Sequence, residues 1–257
     1  MIKVTHIDHM GSDLSVVNAA RVSFGKKTTW AGQEGGLDDG EGGMGVLKNT
    51  DSKLIKYLAK HKHMSPFGHC FASFHIKAPV FVARQLVKHK FLRWNEISRR
   101  YVDSEPEFYE PDEWRGRADD KKQGSAGVLE LDKMYTNPPY KHIKDVFKNE
   151  PEKYPIYTDA IVPDLSILNE VHDCDEYVIS IYRTLIAAGV CPEQARMVLP
   201  QSTMTEWYWS GSLDAWADMC NLRCKGDTQL ETRLVANRIC DEMHKLFPVS
   251  WKALRGL

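Results

Sequence analysis

Alternating apolar and polar residues predict strands at three places along this chain of 257 residues. Between residues 70 and 78, small or apolar side chains occupy every even position, while residues of other kinds, mostly polar, occupy the odd positions. A period of two is typical of a strand with one buried face. Looser alternation over 2–7 and clear alternation over 203–209 predict two further strands.

Apolar residues recur at helical spacing in most of the remaining segments. Helices are predicted over 15–22, 192–199, 213–223 and 230–246, the last two capped by Ser212 and Asp227. Three further helices are predicted: one capped by Asp51, one that opens at Pro79, and one with a capping box formed by Asp173 and Glu176. Because helices alternate with few strands, we expect an α+β fold in which helices pack on a small antiparallel or mixed sheet. A doubly wound parallel sheet is disfavoured.

The expected organisation is one domain over residues 1–257, interrupted by an insertion-like excursion at about 103–170. That excursion holds most of the prolines, an acidic patch and several polar runs, so little regular structure is expected there. Residues 25–50 are Gly-rich and polar without a period, which predicts a loop. Within it, glycines 40, 42 and 45 match the letters of a dinucleotide-binding fingerprint, but no strand precedes them, so a flexible loop is favoured over a phosphate cradle.

Composition excludes several classes of protein. The chain carries 34 Lys and Arg against 35 Asp and Glu, a net charge of −1, which argues against a global attraction to nucleic acid or membranes. Its apolar runs are shorter than the roughly 20 residues of a membrane span, and its beginning lacks the apolar core of a secretory signal. Six scattered cysteines indicate reduced thiols in a cytoplasmic protein rather than a disulfide framework.

One segment of this neutral chain is strongly basic. Seventeen residues contain six cations and one acid, for a local charge of +5: Arg84, Lys88, Lys90, Arg93, Arg99 and Arg100, opposed by Glu96. Converging cations suit an anion pocket for a phosphate or a charged cofactor. A solvated basic face, including a nucleic-acid stripe, is the alternative. Apolar neighbours such as Val82 and Leu86 favour the pocket, because they anchor the helix to a core.

Several motifs in this segment and beyond it resemble the flavin-dependent thymidylate synthases. The family signature is Arg-His-Arg, seven residues, then Ser, and here it reads Lys88-His89-Lys90, seven residues, Ser98. The matching motifs are Ala19–Ser23, Ser65–His69, Ala78–Gln85, Asn95–Tyr101, Ala195–Pro200 and Asn221–Arg223. The resemblance covers roughly 1–103 and 173–250.

This resemblance implies a reaction, its cofactors and an assembly. Such enzymes methylate dUMP to dTMP with methylenetetrahydrofolate as carbon donor, FAD as redox carrier and NADPH as reductant. They are homotetramers whose active sites combine residues of more than one subunit. Small-molecule substrates are therefore expected as partners, with neither nucleic acid nor membrane. The alternatives are a homologue that binds flavin or nucleotide without synthase activity and, less favoured, a nucleic-acid-binding module.

The resemblance also assigns residues. Arg223 aligns with the catalytic residue that activates the pyrimidine. The expected dUMP-binding residues are Gln85, Leu86, Val87, Lys88, Glu96, Ile97, Ser98, Arg99, Arg100, Arg196 and Arg223. The expected FAD-binding residues are His69, Phe71, Lys88, His89, Lys90, Glu96, Ser212, Leu213, Asp214 and Asp218. Lys88 and Lys90 replace the arginines of the signature, which keeps the charge but removes the planar fork.

Three further groups of residues are candidates for a catalytic, base-stacking or metal-binding role. Ser98 is interpreted as a binding hydroxyl rather than a nucleophile, because the sequence places no general base beside it. The aromatic side chains of Trp207-Tyr208-Trp209 are expected to belong to the hydrophobic core rather than to form a platform for stacking bases. No metal site is expected, because neither the pair Cys220 and Cys224 nor the histidines 61, 63 and 69 provide four well-spaced ligands.

Overall fold

A computed structural model describes residues 1–32, 45–102, 104–118, 124–129 and 167–257. Two compact units make up the chain. Unit 1 combines Met1–Ile97 with Met204–Leu257, and unit 2 is Ser98–Thr203. Unit 1 contains the larger sheet and most of the helices.

The elements follow one another in a mixed order. The strands are β1 (Lys3–Met10), β2 (Phe71–Pro79), β3 (Leu92–Glu96), β4 (Arg115–Arg117), β5 (Ser125–Val128) and β6 (Met204–Ser212). The α-helices are α1 (Asp13–Arg21), α2 (Asn49–Lys60), α3 (Val80–Leu86), α4 (Ile167–Ala187), α5 (Pro192–Ala195), α6 (Leu213–Arg223), α7 (Leu230–Leu246) and α8 (Pro248–Arg255). Short 3₁₀ turns lie at Val22–Phe24, Ser65–His69 and Arg196–Val198.

Unit 1 is built on a four-stranded antiparallel sheet in the order β1-β2-β6-β3. Every even-numbered residue of 70–78 is buried, so the period of two correctly identified the core face of β2. Across the sheet, Trp209 pairs with Phe74 on β2 and with Trp94 on β3. Trp207 and Trp209 are both 1% exposed, which confirms the core prediction for these two side chains, whereas it is wrong for Tyr208, which is 50% exposed on the opposite face.

Close approach of β3 to β6 requires a glycine at position 211. A β-carbon there would lie 2.3 Å from Cδ2 of Leu92 and 3.1 Å from the carbonyl oxygen of Phe91. A side chain at this position would therefore displace the Leu92 side chain and crowd the Phe91 carbonyl. The glycine lets the segment that follows α3, which carries the basic signature, lie close against β6.

A buried carboxylate joins the beginning of the chain to its last helix. Asp13, 3% exposed, accepts hydrogen bonds from the backbone N–H groups of Val249 and Ser250, each 2.8 Å long. These N–H groups belong to the first turn of α8, where helical partners are missing. The side chain thus completes a helix that lies more than 230 residues away in sequence.

Replacing Asp13 by alanine is expected to destabilise the protein by about 2–3 kcal/mol, because two buried N–H groups lose a charged acceptor. The free energy of unfolding in urea measures this loss. Asp8→Ala is the matched control, since its carboxylate is exposed and, among the described residues, accepts a hydrogen bond from the neighbouring backbone N–H of His9. Equal stability of the two variants would show that Asp13 does not hold α8.

The α+β class with a small antiparallel sheet is confirmed, and so are the strands predicted around 2–7, 70–78 and 203–209. The helix predicted over 213–223 has the observed bounds, although the Ser212 side chain makes no capping hydrogen bond. Strand β3 and helix α8 were not expected. Of the loop over 25–50, residues 33–44 lie outside the described part.

Three predicted helix caps are wrong. Asp51 lies inside the first turn of α2, where it is buried, pairs with Arg21 and accepts a 3.1 Å hydrogen bond from Thr28. Asp173 lies inside α4, which begins at Ile167. The cap of α7 is Gln229 and not Asp227.

Unit 2 contains the described parts of the predicted excursion. β4 and β5 pair as an antiparallel hairpin, and α4 covers 21 residues from Ile167. Most of residues 103–170 lie outside the described residues, so the insertion stays a prediction. The single domain over 1–257 also stays a prediction.

Candidate active site

Arg223, the last residue of α6, is held at two points by residues from the α3 segment. Its Nε–H donates to Nε2 of His89 over 2.9 Å, and its Nη2 donates to the backbone oxygen of Gln85 over 3.1 Å. A guanidinium has five N–H donors, so three remain for a ligand within the described part of the chain. The arrangement fixes the orientation of a charged, planar group at the surface of unit 1.

Gln85 is itself fixed by α7. Its Oε1 accepts a 3.2 Å hydrogen bond from Thr232, and its Nε2 donates to Gln229. Gln229 and Thr232 were not among the residues predicted for the site. No local signal could have found them, because both lie more than 140 residues from Gln85 in the chain.

His89 is a neutral acceptor in this arrangement. Burial, with a further contribution from the charge of Arg223, lowers the pKa of His89 to about 4. Its Nε2 therefore carries no proton at neutral pH and can accept the Arg223 hydrogen bond. The remaining proton of the ring is then on Nδ1.

Unfolding experiments can test the protonation state of His89. Its pKa is lower in the folded protein than the ordinary 6.5 of an unfolded chain, so the unfolded state binds the proton more readily. The stabilisation is complete above pH 6.5 and is lost as the pH falls from 6.5 toward 4. After allowance for partial solvent screening, we expect the free energy of unfolding of the parent protein to fall by about 1 kcal/mol more than that of His89→Gln across this pH window. Parallel pH profiles for the two proteins would contradict this assignment.

The signature residues around His89 form an exposed turn between α3 and β3. The Lys88 and Lys90 side chains are both exposed. Phe91 has a positive φ of 63° and an 80% exposed side chain, an unusual conformation for a residue with a bulky side chain. Two cations and an apolar ring thus face solvent beside the fixed Arg223.

The other predicted nucleotide residues of unit 1 differ in what they can offer a ligand. Leu86 is fully buried, so only its backbone is available, whereas Val87 is 47% exposed. Glu96 accepts hydrogen bonds from Thr205 Oγ1 at 2.7 Å and from Trp94 Nε1 at 3.1 Å. These bonds orient the carboxylate, and Thr205 is a supporting residue that the sequence did not reveal.

A second group of predicted flavin residues lies where α6 begins. Phe71 pairs with Ser212 in the sheet, and the backbone N–H of Leu213 donates to the oxygen of Cys70 over 2.9 Å. His69 ends the preceding 3₁₀ turn and has an exposed side chain. This group and Arg223 lie at opposite ends of α6, about 15 Å apart at 1.5 Å per residue.

The first turns of α6 are acidic. One carboxylate oxygen of Asp214 is buried and has no hydrogen-bond partner among the described residues. Burial, and then the charge of Asp214, raises the pKa of Asp218, while Lys62 opposes this effect. The unpartnered oxygen is an acceptor suited to a hydroxyl or amino group of a ligand.

Four predicted nucleotide residues belong to unit 2. Ser98 Oγ accepts hydrogen bonds from the backbone N–H and from Nε of Arg100, at 3.3 and 3.4 Å. Arg99 donates to the backbone oxygen of Ser104, and Nε of Arg196 donates to that of Glu193 over 3.3 Å. In both of its hydrogen bonds the Ser98 hydroxyl is the acceptor, and its binding role stays a prediction.

A cavity of about 710 Å³ lies among α2, α6 and α8. Four lysines and Arg255 line it, together with Asp218. Asp218 is the predicted site residue that the cavity includes, whereas Arg223 is outside its lining. This cavity is therefore distinct from the Arg223 arrangement in the described part of unit 1.

The comparisons with known proteins agree with the motifs. Residues 5–249 match the family described as thymidylate synthase complementing protein. A flavin-dependent thymidylate synthase from Thermus thermophilus is 34% identical over 247 residues, which is 96% of this chain and 73% of the relative. The chain belongs to the flavin-dependent thymidylate synthase family. Another member, from Thermosipho melanesiensis, is 33% identical over 91% of this chain and 81% of its own length.

A solved structure also resembles this member of the family. The structure of the UMP/dUMP methylase PolB from Streptomyces cacaoi bound with 5-Br dUMP superimposes with a TM-score of 0.70 at 26% identity, covering 100% of this chain and 96% of that one. The protein is thus an enzyme with the fold of a nucleotide methylase. None of its described helices combines the length and the apolar character needed to cross a bilayer.

Proposed function

We propose that this enzyme catalyses the reductive methylation of dUMP to dTMP, with methylenetetrahydrofolate as carbon donor, FAD as redox carrier and NADPH as reductant. The observation that carries the proposal is the Arg223 guanidinium, held by His89 and Gln85 with donors left for a ligand. Family membership and the dUMP methylase neighbour support the substrate. We place the reaction in the cytoplasm, a reducing compartment, because all six cysteines are free thiols.

The residues present fit FAD. Exposed Lys88 and Lys90 can neutralise a diphosphate, and the unpartnered oxygen of Asp214 can accept a hydroxyl or amino group of the cofactor. The carboxylates of Asp214 and Asp218 would repel a diphosphate, so the two groups of residues suit different parts of the molecule. When bound, FAD supplies the electrons of the reduction.

The protein's own residues bind and polarise the nucleotide. In the bound complex, the Arg223 guanidinium donates to the pyrimidine near N3 and stabilises the negative charge that spreads over the ring as C5 becomes nucleophilic. Neutral His89 and the Gln85 carbonyl orient this group without adding charge. The family motifs also assign nucleotide binding to Ser98, Arg99, Arg100 and Arg196.

We propose a homotetramer with active sites that combine residues of several subunits. The two groups of flavin residues lie at opposite ends of α6 within one chain, which supports a site completed by a partner. Gel filtration with light scattering tests the assembly, which should have four times the 29.4 kDa chain mass. A stable monomer that retains FAD would contradict the proposal.

An omission series tests the reaction and separates the alternatives. Protein with dUMP, methylenetetrahydrofolate, FAD and NADPH should form dTMP, and omission of any one component, with flavin-stripped protein for the omission of FAD, should stop it. Flavin binding without dTMP would indicate the homologue that lacks synthase activity. Salt-dependent binding of DNA or RNA by a protein that takes up no flavin would indicate a nucleic-acid-binding module.

The lysines of the signature are expected to replace the family's arginines functionally. Lys88→Ala should weaken FAD or dUMP binding by roughly tenfold, because one exposed cation near an anionic ligand is lost. Lys88→Arg should bind both ligands about as well as the parent. Titration by flavin fluorescence and equilibrium dialysis measures both affinities, with exposed Lys26→Ala as control. Unchanged affinities in Lys88→Ala would place the ligands elsewhere.

A further inference from the structure

Three cysteine thiols from two helices converge in unit 1. Cys220 lies in the last turns of α6, Cys224 is the residue that caps its C-terminus one turn later, and Cys240 lies on α7. Their three sulfur atoms all lie within 4.8 Å of one another. The sequence showed only the pair on α6, because the third thiol comes from a helix that packs against it.

Two side chains of α8 lie beside the sulfurs. Trp251 of α8 donates its Nε1–H to Sγ of Cys240 over 3.4 Å. The guanidinium of Arg255, on the same helix, lies 6.0 Å from the centroid of the Trp251 ring. An indole N–H therefore faces the cluster from α8, with a permanent cation beside the indole.

The three thiols also differ in exposure. Cys220 is fully buried, and its Sγ–H donates to the backbone oxygen of Ala236 at 3.6 Å. Cys224 and Cys240 are partly exposed. A ligand can thus reach the cluster from the side of these two residues, while Cys220 closes the other side.

We propose that Cys220, Cys224 and Cys240 form a binding site for one thiophilic divalent cation such as Zn²⁺, with a fourth coordination position open to water. Thiolates are preferred ligands of such ions, and sulfurs bound at about 2.3 Å in tetrahedral geometry lie about 3.8 Å apart. The observed spacing reaches this value by an approach of about an ångström or less. Three thiolates and a divalent cation carry a net charge of −1, which Arg255 balances.

The site would fasten the C-terminal turn of α6 to α7. Arg223 lies directly before Cys224 in this turn, so the metal would hold the chain that positions the guanidinium. The proposal goes beyond methylation of dUMP, because it concerns a site that does not include the predicted nucleotide residues. Its test does not depend on enzymatic activity.

Titration with Cd²⁺ tests the site in the full-length protein. The protein is treated with chelator, reduced with a phosphine, and titrated while the ultraviolet sulfur-to-cadmium charge-transfer band is followed. We expect saturation at one equivalent per chain and displacement of Zn²⁺ in a competition assay. Absence of the band, or a band that requires several equivalents, would overturn the proposal.

Cysteine variants assign the ligands. Cys240→Ser should weaken Cd²⁺ binding more than the roughly 10–100-fold that loss of a partner outside the coordination sphere costs. Cys191→Ser, which changes an exposed cysteine of unit 2, should bind as the parent does. If the circular dichroism spectrum shows that Cys240→Ser is unfolded, the Cd²⁺ affinity of Cys224→Ser is measured in its place. Unchanged affinity in the folded variant would show that the cation binds elsewhere.

Discussion

Replacement of Arg223 by alanine is expected to reduce dTMP formation by roughly 100-fold or more, while the fold and FAD binding persist. This is the order of loss seen when one preorganised hydrogen-bond donor is removed from a site of developing charge. The guanidinium is preorganised because His89 and Gln85 fix it from two sides. Burial lowers its pKa, but an arginine stays protonated at neutral pH and can stabilise an anionic ring without titrating.

Two controls separate this role from a structural one. A cation at the end of a helix stabilises the helix dipole by about 0.3–1 kcal/mol and would affect folding alone. Arg223→Lys keeps that cation but replaces the planar guanidinium, with its five donors in a fixed fork, by a single ammonium with three. We therefore expect Arg223→Lys to fold normally and to remain strongly impaired in steady-state assays. Turnover near the parental rate in Arg223→Ala would place the activating group elsewhere.

Replacement of Trp209 by alanine is expected to destabilise the protein by about 3–5 kcal/mol. Its ring is 1% exposed and meets the rings of Trp216 and Trp94 edge-on, with centroids 4.9 and 5.6 Å away. Removal of the indole leaves a large cavity between the sheet and α6. Equilibrium unfolding in urea measures the loss.

The neighbouring residue provides a matched control. Tyr208 lies on the same strand but points to the opposite face, where it is 50% exposed. Tyr208→Ala should cost less than about 1 kcal/mol, because surface substitutions seldom cost more. Equal losses in the two variants would contradict the assignment of the core to the Trp209 face.

The sequence predicted those elements whose periodicity directly reflects burial. β2 alternates because one of its faces packs on helices. The first residue of α6 was predictable because the alternation of the preceding strand ends where the helix begins. β3 escaped prediction because it is only five residues long and begins six residues after the helical pattern of α3 ends, so its alternation of buried Leu92 with exposed Arg93 and Asn95 is too short to stand out. Its strand conformation depends on pairing with β6, more than 100 residues later in the chain.

The candidate site was predictable only in part, for the same reason. Family motifs pointed to Arg223 and His89, but spacing could not reveal that they form a hydrogen bond across 134 positions. Asp51 has the residue type of a helix cap, yet its partner Arg21 lies 30 positions away and determines its role. Thr205, Thr232 and Cys240 carry no local signal, since their roles depend on which helices and strands meet.

Transfer of a labelled carbon is the most direct test of the proposed reaction. The protein is incubated with dUMP, FAD, NADPH and methylenetetrahydrofolate that carries ¹³C in its methylene group, and the nucleotide product is analysed by mass spectrometry. We predict dTMP that carries the label in its methyl group, formed by the parent and lost in Arg223→Ala. Unlabelled dUMP recovered unchanged from flavin-loaded parent protein would contradict the proposed function.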